Sequence, residues 1–220
     1  MNHNFPKIIW QTHNYTFSNM PDNIKRVCAN WINMNDGWDY KYVSDNEREK
    51  FVKKYTDIFP YYQSKPPRLQ SDIWRYLVTK EYGGVYADID SICILPLDYM
   101  LQNTDNTKEM IAVPKNNNGG DSNNCNYLVK ENSQIMNNVV ERMNHIAKNN
   151  KMWRGPKDSC LSFFIDELKV NKNVDYGFVS AIHSAAFHSI FPVSLEIDFF
   201  GEKIIYDDFI KNNKLKHKYW

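Results

Sequence analysis

The run Glu81-Tyr82-Gly83-Gly84-Val85-Tyr86-Ala87-Asp88-Ile89-Asp90 constrains this chain more than any other. Val85, Ala87 and Ile89 alternate with Tyr86, Asp88 and Asp90, and the two-residue period of a strand sends the first set to an apolar core and the second to the opposite face. Both carboxylates then point the same way. Two like charges side by side at the end of a core strand are costly unless a cation or hydrogen-bond donors lie between them, and a divalent metal is the simplest such partner. An Asp-x-Asp triplet alone more often ends a strand in a solvated turn, so its surroundings decide its meaning.

Upstream, Pro66 and Pro67 open a predicted helix over 68–82, which Gly83 and Gly84 close. At helical spacing Leu69, Ile73, Tyr76 and Leu77 make an apolar stripe, and Arg68, Asp72, Arg75 and Thr79 a polar one beside it. The helix is expected to pack by the first and present the second. Taken alone, Asp72 and Arg75 read as an ordinary i,i+3 surface pair. That reading leaves unexplained why the same helix runs through a double glycine into a strand bearing two carboxylates.

Ser71-Asp72, Arg75, Gly83-Gly84, Tyr86 and Asp88-Ile89-Asp90 together resemble the signature of the DXD sugar-nucleotide glycosyltransferases, most closely family thirty-two, with its capsular polysaccharide and initiating mannosyltransferases. Pro6 to Thr12 is similar to that family's first strand, with Trp10 where His is common. Trp153 to Pro156 stands at the family's acceptor-side turn, with Arg154 in place of Thr. The resemblance implies a single GT-A-type domain over 1–220, an α/β fold with a Rossmann-like mixed sheet flanked by helices. It also implies roles: Asp90 on Mn²⁺ or Mg²⁺, Asp88 on the ribose or the metal, and Asp72 on sugar hydroxyls. Arg75 would lie on sugar or phosphates, and Ile9, Trp10, Gln11, Thr12, Gly84 and Tyr86 around the donor. Trp153, Gly155 and Pro156 would then face the acceptor. The implied partners are a UDP- or GDP-sugar and a carbohydrate or glycoprotein acceptor, with transfer by retention.

Around the motif, residues 7–10 read as a first buried strand, with Gln11 to Asn14 at its C-terminal end, where open α/β sheets bind ligands. A helix over 23–33, a strand over 39–44 and a helix over 45–55 with a solvated charged face follow, the alternation expected of an α/β sheet. Residues 93–97 read as extended, 110–114 as a strand, 116–126 as an Asn- and Gly-rich loop, 133–149 as an amphipathic helix and 158–168 as another helix.

A chain of 220 residues with 42% hydrophobic content suits one sizeable core. With 27 basic against 26 acidic residues, no global field draws it to nucleic acid or membrane. Cys28, Cys93, Cys125 and Cys160 are dispersed without zinc-site spacing and read as reduced thiols. No apolar leader or membrane-length run is apparent, which points to the cytoplasm. His183 and His188 would face opposite sides of a strand and are not read as a metal pair. The tail reads either as a frayed lysine-rich end or, by resemblance, as a segment whose His217 ligates the metal and whose Trp220 closes over the diphosphate. Two other classes stay open: a sugar-nucleotide-binding module without turnover, and a phosphatase of the haloacid dehalogenase type with Asp207 and Asp208 as a distal pair.

Overall fold

The computed structural model describes residues 4–89, 91, 93, 96–102, 105, 107–114, 122–149, 160–175, 196–199 and 202–205. Its first half alternates strand and helix: β1 (Ile8–His13), α1 (Asp22–Met34), β2 (Asp39–Ser44), α2 (Asp45–Val52), α3 (Phe59–Gln63), α4 (Pro67–Tyr82) and β3 (Gly84–Ala87). The second half adds α5 (Leu97–Gln102), β4 (Met110–Pro114), β5 (Ser122–Val129), α6 (Gln134–Lys148), α7 (Cys160–Val170) and β6 (Val174–Asp175). A separate hairpin pairs β7 (Glu196–Phe199) with β8 (Glu202–Ile205).

Strands β2, β1 and β3 run parallel, β5 is antiparallel to both β3 and β4, and β6 is parallel to β4, in the order β2-β1-β3-β5-β4-β6. The expected mixed sheet with flanking helices is what forms. From β1 the chain goes to one neighbour, β2, then crosses back to lay β3 on the other side. The C-terminal ends of β1 and β3 therefore flank the point where strand order reverses, the place where open sheets leave a crevice for ligands.

Central position explains the burial of β1 and β3. Ile9, Trp10, Gln11 and Thr12 are all buried, as are all four residues of β3, so neither strand shows a solvent face. Tyr86 does share a side with Asp88, but that side is roofed by α4. The main core gathers Trp10, Trp74, Tyr76, Tyr86, Tyr127 and Phe164 between the sheet and α4, α6 and α7. The apolar stripe of α6, from Ile135 to Met143, is buried as its spacing predicts.

Helix α4 begins at Pro67 and ends at Tyr82 with Gly83 as its C-cap, close to the predicted bounds. The expectation that it presents its whole polar stripe is corrected: Arg75 and Thr79 are buried while Arg68 stays exposed. Thr79 can go inside because its hydroxyl donates to Arg75 O at 2.6 Å and meets the Tyr127 hydroxyl at 3.1 Å. The loop expected over 116–126 is also corrected, because β5 begins at Ser122. Hydrogen bonding between β3 and β4 on either side overrides the low strand propensity of Asn, and the Asn126 side chain is buried against Ser91, Nδ2 to Oγ 3.1 Å. The extended reading of 93–97 gives way at its end to α5, and α3 was not foreseen. Cys28 and Cys93 are buried, and neither forms a disulfide among the described residues.

The glycine pair sets the helix-to-strand corner. Gly83 and Gly84 have φ of 62° and 91°, and a Cβ on Gly84 would lie 2.5 Å from Ile8 O in the adjacent strand. Trp10 Nε1 donates to Gly83 O at 2.9 Å and fixes the corner from below. Gly84→Ala is expected to destabilise the fold by at least about 2 kcal/mol, combining positive-φ strain with a backbone clash. Urea unfolding of the variant beside the native chain measures it.

Candidate functional site

A cavity of about 490 Å³ opens at this switch point. Its lining comes from the C-terminal end of β1 (Thr12, His13, Asn14), the start of α2 (Asp45, Arg48), one face of α4 (Pro67, Arg68, Ser71, Arg75) and the end of β3 (Tyr86, Asp88, Ile89).

Arg75 is the centre of its deep wall. The guanidinium is 6% exposed, with Nη2 3.0 Å from Asp72 Oδ1 and Nη1 3.1 Å from Asp88 Oδ1, and it lies over the Tyr86 ring at 4.3 Å. Burial alone would lower its pKa, but Asp88, Tyr86 and Asp72 outweigh that and hold it above the usual arginine value. The Tyr86 hydroxyl donates to Asp88 Oδ1 at 2.7 Å. Burial, only partly opposed by Arg75, raises the phenol well above its ordinary pKa, so it stays a donor. A buried cation thus lies between the Asp72 and Asp88 carboxylates. The surface-pair reading of Asp72 and Arg75 is thereby corrected.

After Ala87 the chain leaves the sheet and is held by side chains instead. Ser91 N donates to Asp88 O at 2.9 Å, closing a turn, and Gln11 Nε2 donates to the same carbonyl at 3.1 Å. The Tyr40 hydroxyl donates to Gln11 Oε1 at 2.7 Å, fixing which way that amide faces. Trp31 Nε1 reaches Ser91 O at 2.8 Å, and Asn30 takes both the N–H and the carbonyl of Cys93, at 2.7 and 3.1 Å.

The sequence-predicted residues therefore divide. Asp72, Arg75, Tyr86 and Asp88 come together; Arg75, Tyr86, Asp88 and Thr12 line the cavity, and Asp72 is paired with Arg75. Ile9, Trp10, Gln11 and Gly84 do not line it: Ile9 is in the core, Trp10 and Gly84 build the corner, and Gln11 is fully buried beneath the turn. Asp90, Trp153, Gly155, Pro156, His217 and Trp220 lie outside the described residues, as do His183, His188, Asp207 and Asp208. Among the described residues no three His, Cys, Asp or Glu side chains converge on a metal position. The Asp88 carboxylate, 30% exposed on the cavity wall, is a hard oxygen donor of the kind Mg²⁺ and Mn²⁺ take.

Sequence reasoning missed Arg48. The charges of α2 were expected on a solvated face, yet Arg48 is 1% exposed and reaches back under the helix to Asp45, Thr12 and Ser71. The available signal was the capping box Ser44…Glu47, which places Asp45 and Arg48 in the first turn beside the strand ends. His13 also lines the cavity, its ring stacked on Tyr15 at 4.9 Å and its buried Nδ1 without a hydrogen-bond partner among the described residues.

Comparison with known proteins agrees with this geometry. Residues 21–107 match the family described as a glycosyltransferase sugar-binding region containing a DXD motif. This region is similar to the DXD glycosyltransferases. The chain is 30% identical over 122 residues to the initiation-specific alpha-1,6-mannosyltransferase of Candida albicans, covering 52% of this chain and 31% of that protein. It is 34% identical over 102 residues to the mannosyl phosphorylinositol ceramide synthase SUR1 of Saccharomyces cerevisiae, covering 44% of this chain and 25% of that protein. The chain thus spans a third or less of these relatives' length. The solved structure of PaToxG glycosyltransferase superposes with a TM-score of 0.53 at 16% identity, over 74% of this chain and 68% of that one. The fold is of the GT-A glycosyltransferase type.

Two outcomes follow from the site's electrostatics. Arg75→Met leaves two partly buried carboxylates without their cation and is expected to cost about 3 kcal/mol in urea unfolding, and Arg75→Lys to recover little, because one ammonium does not fork to both acids. Burial, against the pull of Asp45, holds His13 below its ordinary pKa of 6.5. The folded chain then binds fewer protons than the unfolded one as pH drops below 6.5, so stability falls with acidification. His13→Phe, which keeps the stack on Tyr15, is expected to flatten that acid slope in melting temperatures taken between about pH 7 and pH 5.

Proposed function

We propose that the chain transfers a hexose from a UDP- or GDP-linked donor to a glycan or protein-linked acceptor, with retention at the anomeric carbon, through a single domain over 1–220. The observation that carries this reading is the Asp72–Arg75–Asp88–Tyr86 cluster, facing a cavity at the strand-order switch point within a segment of DXD glycosyltransferase type. The names of the two relatives, one a mannosyltransferase and one a mannosyl phosphorylinositol ceramide synthase, favour mannose as the sugar.

In this reading Arg75 and Arg68 receive the anionic diphosphate, Arg75 offering forked donors and a fixed charge. Asp72, 15% exposed, accepts hydrogen bonds from sugar hydroxyls. Asp88 is oriented by Arg75 and Tyr86, with its carbonyl tied down by Gln11 and Ser91. Mn²⁺ or Mg²⁺ would be held by Asp90 and Asp88, with His217 as a further ligand, and when bound would neutralise charge developing on the departing diphosphate. Trp153, Gly155 and Pro156 are assigned to the acceptor side. The Asp-x-Asp lies inside the glycosyltransferase match, which favours transfer over the phosphatase alternative.

The test is release of free nucleotide from a panel of UDP- and GDP-sugars, with Mn²⁺ and with chelator. One donor is expected to be consumed in a metal-dependent way, and Asp88→Asn or Asp90→Ala to lower the rate by about a hundredfold or more, the scale of several kcal/mol of lost charge stabilisation. Metal-dependent binding without release, with acceptors supplied, would make the chain a binding module instead.

A further inference from the structure

Arg48 is buried beside the cavity yet belongs to no part of the DXD signature, and its hydrogen bonds decide the chemistry of the wall around it. A guanidinium only donates, whereas a hydroxyl has one hydrogen and two lone pairs. Arg48 Nη1 donates to Thr12 Oγ1 at 3.0 Å and to Ser71 Oγ, and Nη2 donates to Asp45 Oδ1. Each hydroxyl, accepting from Arg48, sends its own hydrogen elsewhere: Thr12 to Val43 O at 2.5 Å and Ser71 to Pro67 O at 3.2 Å. Neither keeps a hydrogen for a ligand. Each keeps one lone pair, and Asp45 adds a carboxylate that is 36% exposed. Thr12, Ser71 and Asp45 all line the cavity beside Arg48, whose side chain is 1% exposed, so these three side chains offer a ligand acceptors alone.

Such a corner selects by hydrogen-bond complementarity. A phosphate, which is itself acceptor-only and anionic, meets lone pairs and a carboxylate there and is disfavoured. A pair of neighbouring hydroxyls brings the hydrogens the corner lacks. One turn along α4 from Ser71, Arg75 supplies the opposite polarity, with donors and positive charge. The cavity is thus divided into an accepting corner and a donating wall.

Resting on the functional reading above, we infer that Arg48 is a specificity-determining residue: it commits the Thr12 and Ser71 hydroxyls as acceptors and so creates a site for the ribose hydroxyls of the nucleotide donor. Arg48 does this through the hydroxyls it holds, its own side chain being 1% exposed. Its charge is spent on Asp45, and its side chain is buried under α2.

The experiment measures, by calorimetry with Mn²⁺ present, the binding of UDP and GDP and of their 2′-deoxy and 3′-deoxy counterparts to the native chain, Ser71→Ala and Arg48→Met. The native chain is expected to prefer the ribo form of its nucleotide by roughly tenfold over at least one deoxy form, the scale of one unpaired buried polar group. Ser71→Ala removes one acceptor from a partly exposed position and is expected to reduce that ratio severalfold while the protein stays folded. Arg48→Met frees both hydroxyls to rotate and is expected to bring the ratio close to one. Equal native binding of ribo and deoxy forms overturns the inference alone, as does a ratio that neither variant changes. If the variants alter the choice between GDP and UDP but leave the ribo-to-deoxy ratio intact, the corner reads base N–H groups and the ribose assignment is overturned. Failure of the native chain to bind any nucleoside diphosphate overturns the functional reading and this inference with it.

Discussion

The arrangement depends on one buried charge. Arg75 sits almost fully out of water between Asp72, on its own helix, and Asp88, at the end of β3. Removing a guanidinium from water costs several kcal/mol, and only paired acids with good geometry offset that cost. The same pairing permits two carboxylates to stand close together at the wall of a cavity. It also ties α4 to β3 across the glycine corner, so the relative placement of helix and strand is fixed by electrostatics as well as by the packing of Trp74 against Tyr86. Thr79 follows from this arrangement: its hydroxyl caps the Arg75 carbonyl and meets Tyr127, carrying the polar network into the aromatic core.

The second constraint is that the segment carrying Asp88 has no sheet to hold it. A strand would have imposed its own pairing on the turn, whereas side chains from β1, α1 and β5 hold it one backbone group at a time. Gln11, Trp31, Asn30 and Asn126 reach in from different elements, and all four are buried. Their amides and indole each satisfy a backbone or hydroxyl group that would otherwise be orphaned away from water. Asn30 and Asn35 look unremarkable for a helix in the sequence, yet Asn35 accepts from Leu97 N at 2.7 Å where the segment enters α5. A rigid, non-repetitive turn built this way places a carboxylate without the pleat dictating its direction.

The alternation of strands and helices, the bounds of α4 and α6, and the gathering of Asp72, Arg75, Tyr86 and Asp88 were legible, because period, proline and glycine punctuation and motif spacing are local properties. What escaped was set by distant partners. Only the Ser44…Glu47 capping box separates Arg48 locally from the solvated charges of α2, since its burial depends on Thr12 and Ser71, which are remote in sequence. Strand β5 was obscured by asparagines whose propensity is overruled by strands on both sides. Gln11 and Trp10 were expected around the donor by family resemblance, whereas both are buried in the middle of a central strand, where a side chain points into the core whichever way it faces.

That last point bears on how such a signature is to be understood. Gly83, Gly84 and Trp10 make the corner that lets β3 lie directly against Ile8, and Gln11 holds the carbonyl of Asp88 from the layer beneath. Asp72, Arg75, Tyr86 and Asp88 then have one geometry available to them. Half of the recognisable residues thus act on the backbone and half on the cavity, and the first half is what makes the second reproducible. A substitution in the buried half changes where the carboxylate points, whereas one in the cavity half changes what it meets. Arg48 sits between these groups: wholly buried like the first, it acts on the ligand by deciding whether two neighbouring hydroxyls give hydrogen bonds or take them.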